Sequence, residues 1–70
     1  MEKYTIICSI HTCGQIASVV EKEQVRKECE RLKRLNKLGY ENTYISIEVV
    51  NNETGEMREY WNNVENTIKF

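Results

Sequence analysis

The 70-residue chain is predicted to fold as one α+β domain, a two-layer ββαββ sandwich whose antiparallel-rich sheet carries a single helix packed on one face. Three observations predict it. Two pairs of β-rich segments are each joined by a short turn that ends in glycine, at His11-Thr-Cys-Gly14 and at Asn51-Asn-Glu-Thr-Gly55. Between the pairs, Val25, Cys29, Leu32, Leu35 and Leu38 recur at the spacing of one helical face. No proline and no Ser/Gly-rich stretch interrupts the chain, so residues 1–70 read as a single domain without a linker.

The elements follow in order. Tyr4-Thr-Ile-Ile-Cys-Ser-Ile10 and Gln15-Ile-Ala-Ser-Val-Val20 are rich in β-branched residues and read as strands. A turn centred on Thr12 and Cys13, with Gly14 left-handed, pairs Ile10 with Ile16, Cys8 with Ser18 and Ile6 with Val20; Tyr4 joins them on one largely apolar face. Lys22 to Leu38 reads as the helix, supported by Glu23–Lys27 and Glu30–Arg34 in the favourable i,i+4 order. Gly39 follows as its left-handed end, against which Tyr40 closes. Ser18-Val-Val-Glu21 also matches a capping box, but an earlier helix start would take Ile16 and Val20 out of the hairpin. Thr43 to Val50 alternates cleanly and Glu56 to Trp61 returns beside it, with Ile45, Ile47, Val49, Met57 and Trp61 expected to face the helix. Asn62 to Phe70 fits either a helical turn around Val64 or a short strand at Thr67–Phe70. The order of the strands across the two hairpins does not follow from the pattern.

One helix covers one face, so the opposite face should be polar if it meets water. Parity places Thr5, Ile7, Ser9, Ala17 and Val19 there from the first hairpin, and Tyr44, Ser46, Glu48, Val50, Arg58 and Tyr60 from the second. Ile7, Val19, Val50, Tyr44 and Tyr60 break the rule. Together they are expected to form a contiguous apolar patch, the mark of a protein-binding surface. Arg58 lies among them, and Glu48 and Glu56, with Glu53 and Glu59, supply an acidic border suited to a basic partner. The expected partner is another protein or a second copy of the chain.

Charge and chemistry exclude other classes. The net charge is −1, with the basic residues concentrated in 21–38 and the acidic ones in 39–70. Tyr44 and Tyr60 have the chemistry to stack bases, but the glutamates around them repel phosphate. The basic helix residues Lys27, Arg31, Arg34 and Lys37 are interspersed with glutamates as on a solvated face, so nucleic acid is not the expected partner. In Cys8-Ser-Ile-His-Thr-Cys-Gly14, two cysteines and the chain's only histidine lie close together, and Cys29 completes a set of four zinc-type side chains. Parity separates them: Cys8 points inward toward Cys29, while His11 and Cys13 sit at the hairpin tip. No metal and no other cofactor is therefore expected. No paired carboxylates, phosphate-binding glycine loop or oriented histidine points to catalysis, so the chain reads as non-enzymatic. The start, Met1-Glu-Lys-Tyr-Thr-Ile-Ile, lacks the apolar core of an export signal, the apolar runs are too short to enter a membrane, and three cysteines do not make a disulfide framework. The expectation is a cytoplasmic protein with free thiols.

The run Arg31-Leu-Lys-Arg-Leu-Asn-Lys-Leu-Gly-Tyr-Glu-Asn-Thr-Tyr-Ile-Ser-Ile47 resembles the helix–Gly-Tyr–strand joint of many small phage-encoded proteins. Over less than a third of the chain it is also faintly similar to the peptidoglycan-binding SPOR domain, whose second helix has no counterpart here. The phage resemblance is one of size, pattern and composition and carries over no functional residue. It implies a role class: a small phage or mobile-element protein that binds a host or defence protein and inhibits or redirects it.

Overall fold

The computed structural model describes residues 2–39 and 42–70. Four strands form one antiparallel sheet: β1 (Lys3–Ile10), β2 (Gly14–Glu21), β3 (Ile45–Asn51) and β4 (Met57–Asn62), in the order β2-β1-β3-β4. Among the described residues a single α-helix, α1 (Val25–Lys33), packs on one face, so the ββαββ sandwich is the observed architecture. A tight 3₁₀ turn precedes α1 at Lys22–Gln24 and another follows at Arg34–Lys37.

The first hairpin closes earlier than expected. Cys13 N–H donates to Ile10 C=O at 3.0 Å, so the turn is centred on His11 and Thr12, and Thr12 itself takes a left-handed φ of 78° ahead of Gly14 at 104°. Pairing then begins at Ile10–Gly14 and runs through Cys8–Ile16, Ile6–Ser18 and Tyr4–Val20. This differs from the expected register by two residues. A slip of two preserves parity, so every side chain stays on the face that alternation assigned to it. The strand also continues through Glu21, which leaves no room for a helix starting at Ser18.

Ile6, Cys8 and Ile10 from β1, Ile45, Ile47 and Val49 from β3, and Val25, Cys29 and Leu32 from α1 make the core. Leu35 is half-buried at its margin. Leu38 is 70% exposed, against expectation, because the helix tightens into a 3₁₀ turn at Arg34 and the apolar line runs off the sheet. Gly39 does take the left-handed conformation, at φ 106°. The closure expected of Tyr40 lies outside the described residues. On the helix surface the ion pairs are Glu28–Arg31 at 2.6 Å and Glu30–Lys33 at 3.5 Å, both i,i+3 in place of the i,i+4 pairs expected.

The second hairpin turns where expected. Asn51 Oδ1 accepts the N–H groups of Glu53 and Thr54, and Gly55 is left-handed at φ 78°. Its return strand holds the main departure. Val49 pairs with Arg58 and Glu48 with Glu59, but Ile47 pairs with Trp61, so Tyr60 is an extra residue in β4. Such a bulge puts two successive side chains on the same side of the sheet. Here they are Tyr60 and Trp61, both buried in the core beside the helix. After β4 the chain makes one helical turn around Val64, with Asn66 N–H on Asn62 C=O at 2.9 Å. The tail then runs along β4 without forming a strand, held by Lys69 N–H on Tyr60 C=O at 2.9 Å.

Candidate protein-binding face

The register sorts the uncovered face of the sheet into three rows that cross all four strands. The first is Val19–Thr5–Val50–Met57, the second Ala17–Ile7–Glu48–Glu59, and the third Gln15–Ser9–Ser46–Asn62. The face is therefore graded from apolar to polar along the strands. Val19 is 63% exposed and Met57 54% exposed, while Ile7 and Val50 are half-buried between them. In the polar row, Gln15 Nε2 donates to Ser9 Oγ at 3.1 Å. Asn62 is buried there and its Oδ1 accepts from the N–H groups of Val64 and Glu65.

Of the residues expected on this face, Ile7, Val19, Val50 and Glu48 meet at its apolar end. Tyr44 has the expected parity but lies just before β3, at the polar end beside Val64. Six residues of extended strand, roughly 20 Å, separate it from Val50. Tyr60 and Arg58 are on the other side. The bulge reverses the phase of β4, so Arg58 pairs with Val49 toward the helix and Tyr60 enters the core. The same reversal brings Met57, expected in the core, out to the apolar row. Met57 is thus the one member of that row which parity did not place on this face. The signal that would have found Met57 is the adjacent pair Tyr60-Trp61. Two large aromatics in succession do not fit an alternating half-buried strand, and a bulge resolves them.

The buried aromatics are anchored to the helix. Tyr60 OH donates to Glu30 Oε2 at 2.7 Å and accepts from Arg26 at 3.4 Å. Burial, then the Glu30 hydrogen bond, pushes the Tyr60 phenol up to about 12, and the bond from Tyr60 holds the Glu30 carboxyl below its ordinary range. The Lys33 ammonium lies 5.3 Å from the centre of the Trp61 ring, whose Nε1 donates to Asn66 Oδ1 at 2.9 Å. With Tyr60 in the core, Tyr44 is, among the described residues, the one tyrosine left on the uncovered side for stacking a base.

The acidic border is partly neutralised from within. Glu56 pairs with Arg58 at 3.2 Å, and Glu59 pairs with Lys69 at 3.1 Å. Glu48, half-buried beside Ile7, takes part in none of the ion pairs among the described residues. It is the acid that a basic partner would meet at the centre of the face.

The cysteines and histidine divide as parity requires. Cys8 and Cys29 are buried in the core, and burial raises both thiols, Cys29 to about 12. His11 and Cys13 are exposed at the first turn. Among the described residues no three metal-ligating side chains come together. A concavity at the C-terminal end of the helix is lined by Lys33, Arg34 and Lys37 over Trp61, with Glu30 on its wall. The helix dipole there works against an anion. No described helix is long and apolar enough to cross a membrane.

No protein-family model matches the chain, and no curated protein or solved structure matches it at a significant level.

Proposed function

We propose that this chain is a non-enzymatic protein-binding module that acts through the apolar end of its uncovered sheet face. The observation that supports this reading is the row Val19–Thr5–Val50–Met57, with Ile7 and Ala17 behind it. An antiparallel sheet facing only water places polar side chains at such positions. Here Val19, Val50, Met57, Ile7 and Ala17 are apolar, and Val19 and Met57 are more than half exposed. The partner is a protein with an apolar contact surface bordered by a basic group that reaches Glu48. The partner class follows from the likeness in size and pattern to small phage-encoded proteins: a host or defence protein that the chain inhibits or redirects.

The experiment is affinity capture from a host lysate with the immobilised chain, read by quantitative mass spectrometry. Val50→Lys/Met57→Lys should lose the proteins that wild type retains. Arg34→Glu, on the outer helix surface, should retain them. An unchanged set of captured proteins with the double variant would reject the sheet face as the contact surface.

A further inference from the structure

The two edges of the sheet are finished differently. At β4 the edge is bulged at Tyr60, charged at Arg58 and Glu59, and shielded by the tail, whose Lys69 N–H occupies Tyr60 C=O. These are devices by which proteins keep an edge strand from pairing with another chain. Along β2, short of its last residue Glu21, none of them is present. From Gly14 to Val20 the strand has no charge, no proline and no bulge, and all of it is exposed but the half-buried Ser18 and Val20.

The hydrogen-bond alternation says which groups of β2 are free. Lys22 N–H donates to Glu2 C=O at 3.3 Å, continuing the register of the Tyr4–Val20 pair. In an antiparallel ladder, hydrogen-bonded and non-hydrogen-bonded pairs alternate. Gly14, Ile16, Ser18 and Val20 therefore turn their backbone groups toward β1, while Gln15, Ala17, Val19 and Glu21 turn theirs outward.

We infer that β2 pairs with β2 of a second copy of this chain, antiparallel and about a twofold axis at Ser18, joining two four-stranded sheets into one. The argument for a second copy is self-complementarity. In this register Ala17 exchanges backbone hydrogen bonds with Val19 of the second copy, and Gln15 with Glu21. Ile16 falls against Val20 of the second copy on the helix side, where Ile16 is otherwise 42% exposed. Every apolar side chain of the strand meets an apolar one, twice over, as a closed twofold interface requires. No like charges are placed opposite each other, since Glu21 meets Gln15 and is already paired with Lys3 at 2.6 Å. Above the seam, Glu28 is neutralised by Arg31 at 2.6 Å, so joining the sheets buries no unpaired carboxylate there. On the uncovered face Ala17 and Val19 of the two copies adjoin, which merges the two apolar ends into one continuous surface.

The test is the mass of the full chain by sedimentation velocity over a concentration series, with the fold checked by circular dichroism. Wild type should sediment as a dimer. Ile16→Lys places a charge in the seam, and Ala17→Pro removes an outward N–H that β1 does not use; each should sediment as a monomer at concentrations where wild type is dimeric. If Ala17→Pro fails to fold, Ile16→Lys decides. The register is read by crosslinking in a Cys13→Ser background: Ser18→Cys lies at the axis, where the Cα atoms of a non-hydrogen-bonded pair are about 4.5 Å apart, within disulfide reach. It should give covalent dimer under mild oxidation faster than Gln15→Cys. A wild-type monomer at all concentrations, a dimer unaffected by the folded variants, or equal crosslinking at both positions would overturn the inference.

Discussion

In the first hairpin every residue of β1 has one partner in β2, from Lys3–Glu21 to Ile10–Gly14. In the second, β4 carries Tyr60 as a residue without a counterpart in β3, between Glu59–Glu48 and Trp61–Ile47. The first departure from the expected register, a shift by two, moves no side chain from one face to the other. The second, an insertion of one, moves Tyr60 and Arg58 to the helix side and Met57 to the uncovered side. Face assignment thus tolerates a wrong turn and fails at a bulge, because the side-chain period of a strand is two. The bulge also has a packing consequence. It lets one short strand set two large aromatics against one short helix, an asset in a domain small enough to be marginal by burial alone.

Truncation in β4 should give the largest effect on this contrast. Tyr60→Ala or Trp61→Ala should lower the unfolding free energy by about 3–5 kcal/mol. Met57→Ala should change it by no more than about 0.5 kcal/mol, as at an ordinary surface position. Urea titrations of the three variants check this. Without the bulge, Met57 would be a core residue and Tyr60 a surface one, so the reverse ranking would reject the observed register.

A smaller effect is expected at high pH. Tyr60 rises from its ordinary 10.0 to about 12, and Cys29 from 9.0 to about 12, chiefly because each is buried as the neutral form. Both groups release protons more readily from the unfolded chain. Stability should therefore hold below the unfolded-state values and fall as pH rises from about 9 toward 12. Denaturation midpoints between pH 8 and 12 should show the decline, and Tyr60→Phe should flatten the part above pH 10. An equal decline in Tyr60→Phe would mean that Tyr60 is not the group titrating.

The smallest perturbation compares thiols within the first hairpin. Cys13 at the turn should react with a thiol reagent at once in the native protein, while Cys8 and Cys29 should react at the rate of unfolding. Immediate labelling of all three would place Cys8 and Cys29 outside the core.

Much of this architecture was legible in the chain itself. The stripe Val25–Cys29–Leu32, the alternation of Ile6, Cys8 and Ile10 and of Ile45, Ile47 and Val49, and the glycines at 14, 39 and 55 act through local periodicity and backbone sterics. Those terms operate before distant segments meet, so the sequence alone determined the elements, the helix-covered face and the inward course of Cys8. The order β2-β1-β3-β4, the bulge at Tyr60, the exit of Leu38 from the core and the bare edge of β2 beside the shielded edge of β4 were decided only in the tertiary structure. Each depends on how one segment lies against another, and in β4 on what two adjacent aromatics gain by both reaching the helix, at the cost of a regular ladder.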